Sequence, residues 1–552
     1  MRKILDKIDT LLKKEKGTIR KEHGGKIKVC LIYPNIYQVG ISNLGFQTVY
    51  RLFNNRKDVV CERSFLPAKD EIEEYRKGFP LISFESKKPL YEFDILAFSI
   101  CFENDLPEII KILEIAKIPF RRRDRDFNSP LLIAGGVLCF SNPEPLAEIF
   151  DIILIGEAEE LLEPFIDNYK KVKEASYEED FKENLKREII KFQGFYVPEA
   201  YREIYDFSGN IVGREVLWFN VPEKIKRVYC KNLSENLSFS QIITSEAVFS
   251  NKYLIEAMRG CPFSCRFCLV GKIYSPTRKA SIDALKSRLS NIPSETCSVG
   301  LIAPSLTAYR ELVELLETPL VELSFTSLRA DRATLDSIDY LSRMKTVTIA
   351  PEAGSERLRK IIKKGISEKD LLNVASRLSN TEVQNLKLYF MIGLPFEKDE
   401  DVEDIKKLIE KVRGVFFRRI TASISIFVPK PFTPFQWHGM ETYEVITEKL
   451  KKIKKDTLQI KGFKLFHEVP KYSYLQGYLA RADRRAVEIL ERLSKGEKNG
   501  ELWEKIKKEA CQIKSLSQFL PWDFIEHEGI KKEVLWDEYE RAKAEAFQTD
   551  NT

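Results

Sequence analysis

Two series of short, β-branched apolar runs, most of them followed by a helical pattern, set the tightest limit on how this chain folds. The first series is IKVCLIYP (27–34), DVVCERSF (58–65), DILAFSIC (94–101), PLLIAGG (130–136) and DIILIGE (151–157). Patterns such as NLGFQTVYRLFNN and LPEIIKILEIAKI lie between them. Strands alternating with helices predict a parallel sheet covered by helices on both faces. Residues 27–167 therefore read as one doubly wound, Rossmann-like α/β domain. Ahead of it, residues 1–26 carry an amphipathic helix with Ile4, Leu5, Ile8, Leu11 and Leu12 on one face. Residues 168–245 read as a linker with a small hairpin around Ser-Gly-Asn (208–210).

The second series runs YLIEAM (253–258), SVGLIAP (298–304), VELSFTSL (321–328), TVTIAPE (346–352), LKLYFMIG (386–393) and ITASISIFVP (420–429). Six βα units are too few for an eight-fold barrel. They predict an open, partial (β/α)6 barrel over 246–430, with a helical C-terminal region over 431–552.

Composition removes several function classes. The net charge of +6 is spread over 172 charged residues and does not itself point to nucleic acid. No stretch of about 18 apolar residues is present, so no membrane span is expected. The N-terminus lacks the apolar core of a signal peptide. A cytoplasmic protein is expected, in which clustered cysteines bind metal more often than they pair.

One such cluster stands in RGCPFSCRFCLVG (259–271), after the first strand of the second series. In a βα array that is the active-site end. Cys261, Cys265 and Cys268 supply three thiolates, whereas a structural zinc site takes four protein ligands. Three thiolates with one open iron suit a four-iron cluster.

With Phe267 ahead of the last cysteine, this CxxxCxΦC loop resembles the radical S-adenosylmethionine (radical SAM) enzymes. That resemblance covers 246–430 and implies a [4Fe–4S] cluster on Cys261, Cys265 and Cys268. In the family the cluster binds S-adenosylmethionine and reductively cleaves it to a 5′-deoxyadenosyl radical. It implies S-adenosylmethionine contacts at Phe267, at Ala303 and Pro304 where the family carries Gly-Gly-Glu, and at Ser327 and Arg329. Further contacts are implied at Glu352, Ser355 and Arg357 in APEAGSERLR (350–359) and at Gly393 in FMIGLP (390–395). Glu352 and Ser355 offer acceptors to ribose hydroxyls, and Arg329, Arg357 and Arg359 are candidates for the carboxylate. A one-electron donor such as flavodoxin or ferredoxin is implied as partner.

A doubly wound sheet binds ligands beyond the C-terminal ends of its strands. No GxGxxG is present, which argues against a dinucleotide. Together with the barrel, the arrangement resembles the cobalamin-binding radical SAM enzymes. NIYQVG then stands where many cobalamin domains carry D-x-H-x-x-G, with Asn35, Tyr37 and Gly40 at the three positions. Ser99, Gly135 and Gly136 match the residues that line the nucleotide-tail slot. Gly156 and Glu157, at the end of the next strand, are further cobalamin contacts that the resemblance implies, with Gly135, Gly136 and Gly156 permitting close backbone approach. Tyr37 is a poor cobalt ligand, so a cobalamin without an axial histidine is expected, with Tyr37 under its lower face. The implied reaction is methyl transfer to an unactivated carbon or phosphorus of a substrate that is protein, RNA, lipid or a small molecule. A methylthiotransferase is the alternative, with Cys101 and Cys139 in an auxiliary cluster; Cys30 and Cys61 sit in or beside strands. A non-catalytic iron–sulfur scaffold or RNA-binding factor is the third reading. The basic runs FRRRDRD (120–126) and EKLKKIKKDTLQIKGFK (448–464) read as solvated faces, because RNA binding needs aromatic side chains beside them. His438 reads as a packed or surface residue.

Overall fold

A computed structural model describes the chain except residues 1, 294–295, 297, 310, 317–321, 326, 343, 498 and 549–552, and the side chains of 312, 316, 322 and 323. Its first sheet has the order Val59–Phe65, Ile27–Tyr33, Ile95–Ser99, Leu131–Gly135, Ile152–Leu154, Phe195–Tyr196. The first five strands are parallel and the last is antiparallel to Ile152–Leu154. These strands read as continuous apolar runs because helices bury both faces. Strand order reverses between Ile27–Tyr33 and Ile95–Ser99, which opens a crevice at their C-terminal ends. The N-terminal helix Arg2–Lys13 buries Ile4, Ile8, Leu11 and Leu12 as its pattern predicts. The hairpin pairs Tyr201–Tyr205 with Ile211–Val216 around Gly209, at φ +81°.

All six strands expected of the second series form. They lie in two parallel arcs, Lys252–Glu256/Ser298–Ile302/Glu322–Phe325 and Thr346–Glu352/Asn385–Ile392/Arg419–Ile426. Among the described residues one parallel bridge, Leu328 to Ile349, joins the arcs. Of the predicted run 321–328, residues 321 and 326 lie outside the described residues. The count of six is one short. Phe463–His467 adds a further parallel strand beside Arg419–Ile426, inside the stretch expected to be helical. It is an edge strand with only alternate residues half-buried, so KGFKLFHE shows no apolar run.

The C-terminal helices wrap back over the first sheet rather than the barrel alone. Asn142 donates to the carbonyls of Ala480 (3.2 Å) and Ala482 (2.8 Å), and Arg484 pairs with buried Glu144 at 2.9 Å. Trp437 and Trp522 are fully buried where these layers meet. This packing holds the sheet's ligand edge against the barrel's open mouth.

Candidate active site

The cysteine loop lies between two short paired strands, Met258–Arg259 and Arg278–Lys279. Both strands of that ladder are gripped, at the Arg259–Arg278 rung, by one carboxylate that follows the fifth strand of the first sheet. Glu157 Oε2 accepts from Arg259 Nη1 (2.7 Å), Arg278 Nη1 (2.7 Å) and the Cys230 backbone N–H (3.0 Å). Its Oε1 accepts from Arg278 Nη2 (2.9 Å) and Arg227 Nη1 (3.0 Å). Burial would raise the Glu157 pKa, but Arg259, Arg278 and Arg227 outweigh it and hold the carboxyl at about 2. On its outer side the loop is held by Arg266. That guanidinium donates to Ile361 O (2.6 Å), Glu538 (2.9 Å) and Glu545 (2.7 Å), the two glutamates belonging to the helix Lys532–Gln548.

Within the loop, burial pushes the Cys261, Cys265 and Cys268 thiols up, and the sulfurs reinforce one another. Opposing this, Arg329 and Lys364 stand close enough to Cys261 and Cys265 to favour thiolate. The backbone N–H groups of Phe263 near Cys261, and of Gly271 and Val270 near Cys268, also favour the thiolate. Among the described residues no three His, Cys, Asp or Glu side chains converge on one ion. A four-iron cluster does not ask for that, since each thiolate binds a different iron. Adjacent thiols with nearby N–H donors and two cations are the chemistry such a cluster's sulfurs require. These residues fit the cluster.

The implied S-adenosylmethionine contacts divide into two groups. Arg329 stacks on Phe263 (4.1 Å from the ring centroid) and donates to Gly365 O at 2.9 Å. Glu352, at φ +68°, pairs with Lys364 at 2.9 Å. Both therefore flank the thiols, and Ala303, Pro304 and Ser327 line the adjoining cavity. Phe267 is half-buried against the core. Ser355 caps the helix Glu356–Ile361 by accepting from Leu358 N (3.0 Å) and donates to Asp401, which also binds Arg357. Arg359 is buried on the carbonyls of Ala353 (2.9 Å) and Gly354 (2.8 Å). Gly393, at φ +72°, donates to Glu397 at 2.9 Å. Ser355, Arg357 and Arg359 thus have internal partners in the ligand-free protein.

A cavity of about 640 Å³ adjoins the cysteine loop at Gly260. On the barrel side it is lined by Glu256, Met258, Arg259 and Ala303–Pro304. From there it runs under the C-terminal ends of the first sheet, past Ser99, Cys101, Gly135 and Gly136. It continues as a slot between Leu31, Ala97, Ile133 and Leu154 of the central strands and the helices Leu44–Asn55 and Ala158–Ala175. Thr48 Oγ1 is buried in this slot with no hydrogen-bond partner among the described residues. A Cβ on Gly135 would meet nothing within 4 Å.

Asn35, Tyr37 and Gly40 do not line the cavity. Asn35 donates to Asp105 at 2.8 Å. Tyr37 stacks on Phe84 with its hydroxyl on Glu15 at 2.7 Å, in a buried network with Arg63. A Cβ on Gly40 would lie 2.6 Å from the Phe65 ring. The expectation of Tyr37 beneath a corrin is thereby corrected: its ring is turned into the core by Glu15, Phe84 and Phe65. At the cavity wall stands Cys101 instead, accepting from Asn43 Nδ2 at 3.7 Å. Cys30 and Cys61 are fully buried. His438 is half-buried against Phe396 and Tyr539.

The chain is similar in sequence to known families over both of its α/β regions. Sequence models match for "Radical SAM proteins, N-terminal" over residues 45–198 and for "Radical SAM superfamily" over 255–409. Uncharacterized protein MJ0966 of Methanocaldococcus jannaschii is 30% identical over 515 residues, 92% of this chain and 98% of that protein. The ribosomal protein uS12 methylthiotransferase RimO of Aquifex aeolicus is 23% identical over 252 residues, 42% of this chain and 52% of that one. Among solved structures, the cobalamin-dependent S-adenosylmethionine radical enzyme OxsB with aqua-cobalamin and S-adenosylmethionine bound matches at 16% identity and TM-score 0.42. That match covers 70% of this chain and about half of the other, 52%. With its cysteine loop, its paired domains and a relative matched almost end to end, the chain belongs to the radical SAM superfamily, with a radical SAM N-terminal domain ahead of the barrel.

Proposed function

We propose that this radical SAM enzyme transfers a methyl group to an unactivated centre and holds cobalamin in the slot of its N-terminal domain. The observation that carries this reading is one continuous cavity, shared by the ligand edge of the first sheet and the barrel mouth beside the cysteine loop. S-adenosylmethionine at the cluster would supply a hydrogen-abstracting radical, and cobalamin the methyl group. The protein's part is placement. Glu157 and Arg266 fix the loop, Arg329 and Lys364 present cations beside it, and the sheet brings a second ligand within reach of the same space.

The slot suits a flat heterocyclic tail. It is mostly apolar, has small residues on its strand wall at Ala97 and Gly135 and on its helix wall at Gly45, and carries at Thr48 a hydroxyl with no partner among the described residues. No histidine lines the cavity among the described residues, so the metal of such a cofactor would lack an imidazole beneath it.

An auxiliary cluster is less well supported. Cys101 and Cys139 are neighbours, yet Cys30 and Cys61 lie buried in strands of their own and supply the pair with no third thiol among the described residues. The test is anaerobic reconstitution with iron, sulfide and cobalamin, followed by absorption and electron paramagnetic resonance. The reading expects a retained corrin band, cob(II)alamin without nitrogen superhyperfine splitting, and about four irons per chain. Two clusters' worth of iron, roughly halved by changing Cys101 and Cys139 to Ser, with no corrin band would replace it with methylthiolation.

A further inference from the structure

The basic run that reads as a solvated face has aromatic company in the fold. At the N-terminal end of the barrel, opposite the cysteine loop, a cleft of about 550 Å³ is lined by Arg413, Phe417, Arg418, Arg419, Phe463 and Lys464, with no carboxylate in its wall. Arg419 and Phe463 start neighbouring strands, and Lys464 stands opposite Thr421. Phe417 is 71% exposed.

Charge is concentrated here. Residues 449–464 hold seven lysines against one aspartate, a net +6 equal to that of the whole chain. Lys449 and Lys452 pair with Glu397 and Glu403. Lys451, Lys454, Lys455, Lys461, Lys464 and Arg419 have no ion pair among the described residues, on a surface where most charges do. Arg413 and Arg418 are fixed on backbone carbonyls, at 3.1 Å from Phe417 O and 3.0 Å from Val383 O, which leaves their charge unneutralised. Helix C-termini favour cations, and that accounts for Lys454 and Lys455 at the end of Tyr443–Thr457. It does not account for Arg419, Lys461 and Lys464, which lie on strands and loops, or for an exposed phenylalanine among them.

We propose that this cleft binds a single-stranded nucleic acid. The cations track phosphates, and Phe417 offers a face on which a base stacks. An acidic electron-transfer protein fits less well: docked here it would stand a whole strand length from the cysteines, about 25 Å for eight residues. The proposal is independent of the cofactor reading.

Fluorescence anisotropy of the full-length protein with a labelled, unstructured 20-nucleotide RNA at low salt tests it. Binding should weaken with salt on a log–log slope that reflects several phosphate contacts. Arg419→Glu with Lys464→Glu should weaken it at least about 10-fold and flatten that slope. Phe417→Ala should weaken it by about 10-fold with the slope unchanged. Circular dichroism and cluster content equal to the parent's would show that the variants are folded. No RNA binding, RNA binding unaffected by all three substitutions, or tighter binding of polyglutamate than of RNA would each overturn the proposal.

Discussion

Replacing Glu157 by Gln should loosen the cysteine loop without touching a cysteine. The carboxylate is 5% exposed and accepts from three arginines and one backbone N–H. Its pKa is held at about 2 against an ordinary 4.5, which corresponds to about 3 kcal/mol favouring the ionised, folded form. That agrees with the ~3–5 kcal/mol typical of removing one partner from a buried ion pair. Arg259 keeps Glu256 and Glu159, but Arg227 and Arg278 lose their only carboxylate partner among the described residues. The sign with pH follows. Because the folded pKa is the lower one, the stabilisation is complete above about pH 4.5 and is lost as pH falls toward 2. Since a chain of several regions does not unfold as one unit, a melting temperature is a poor readout. Hydrogen exchange resolves the segment directly. At neutral pH, amides of 257–280 should lose about 100-fold of protection in Glu157→Gln, about 3 kcal/mol of local opening. Iron retention should fall with it, and Glu157→Asp should recover part of both. Exchange within about two-fold of the parent, at the roughly 0.5 kcal/mol level of a surface change, would refute the clamp.

Three further outcomes are expected. Changing Cys261, Cys265 and Cys268 together to Ala should remove the cluster chromophore and all 5′-deoxyadenosine formation, and a variant that still cleaves S-adenosylmethionine would contradict the assignment. Gly135→Leu should fill the slot without backbone strain, since a Cβ there has open space, so the corrin band should vanish while iron content stays at the parent's level. Burial lowers the pKa of His438 to about 4 and of His527 to about 3, so both are neutral in the fold and gain protons on unfolding below pH 6.5. These two histidines should therefore together contribute a fall in stability of up to about 2.7 kcal/mol per pH unit between pH 6 and 4. It is offset by Asp105 and Glu203, whose buried carboxyls are raised to about 7 and about 9 and stabilise the fold as pH falls. His527→Gln, monitored by acid denaturation, should remove about 1.4 kcal/mol per pH unit of that fall.

What was legible in the sequence was whatever depends on near neighbours. The parallel strands showed as apolar runs because they are buried on both faces, and the cysteine loop showed because its three ligands lie within eight positions. Phe463–His467 escaped because an edge strand keeps half its residues in solvent. Phe195–Tyr196 escaped because two residues carry no period. Arg266 and Lys364 had no local signature either. One is defined by a helix that begins at Lys532, and the other by Glu352 and the thiols.

Side-chain direction at the ligand edge depends on partners far along the chain, and there a motif register misleads. Tyr37 occupies the position of an axial histidine in the sequence, yet Glu15 and Arg63 turn it inward. The glycines make the same point. Gly136 and Gly156 line the cavity, yet what requires glycine there is protein backbone: a Cβ on Gly136 would lie 2.4 Å from Ile100 O, and one on Gly156 2.2 Å from Val228 O. Their positive φ values, +112° and +155°, serve the approach of protein backbone. At Gly156 the approaching strand carries Arg227, and it delivers that guanidinium to Glu157. A glycine that lets one chain come close thus also builds the clamp on the cysteine loop. All three line the cavity, but Gly135 alone of the three has open space where a Cβ would stand, so it is the position at which a larger side chain would fill the slot.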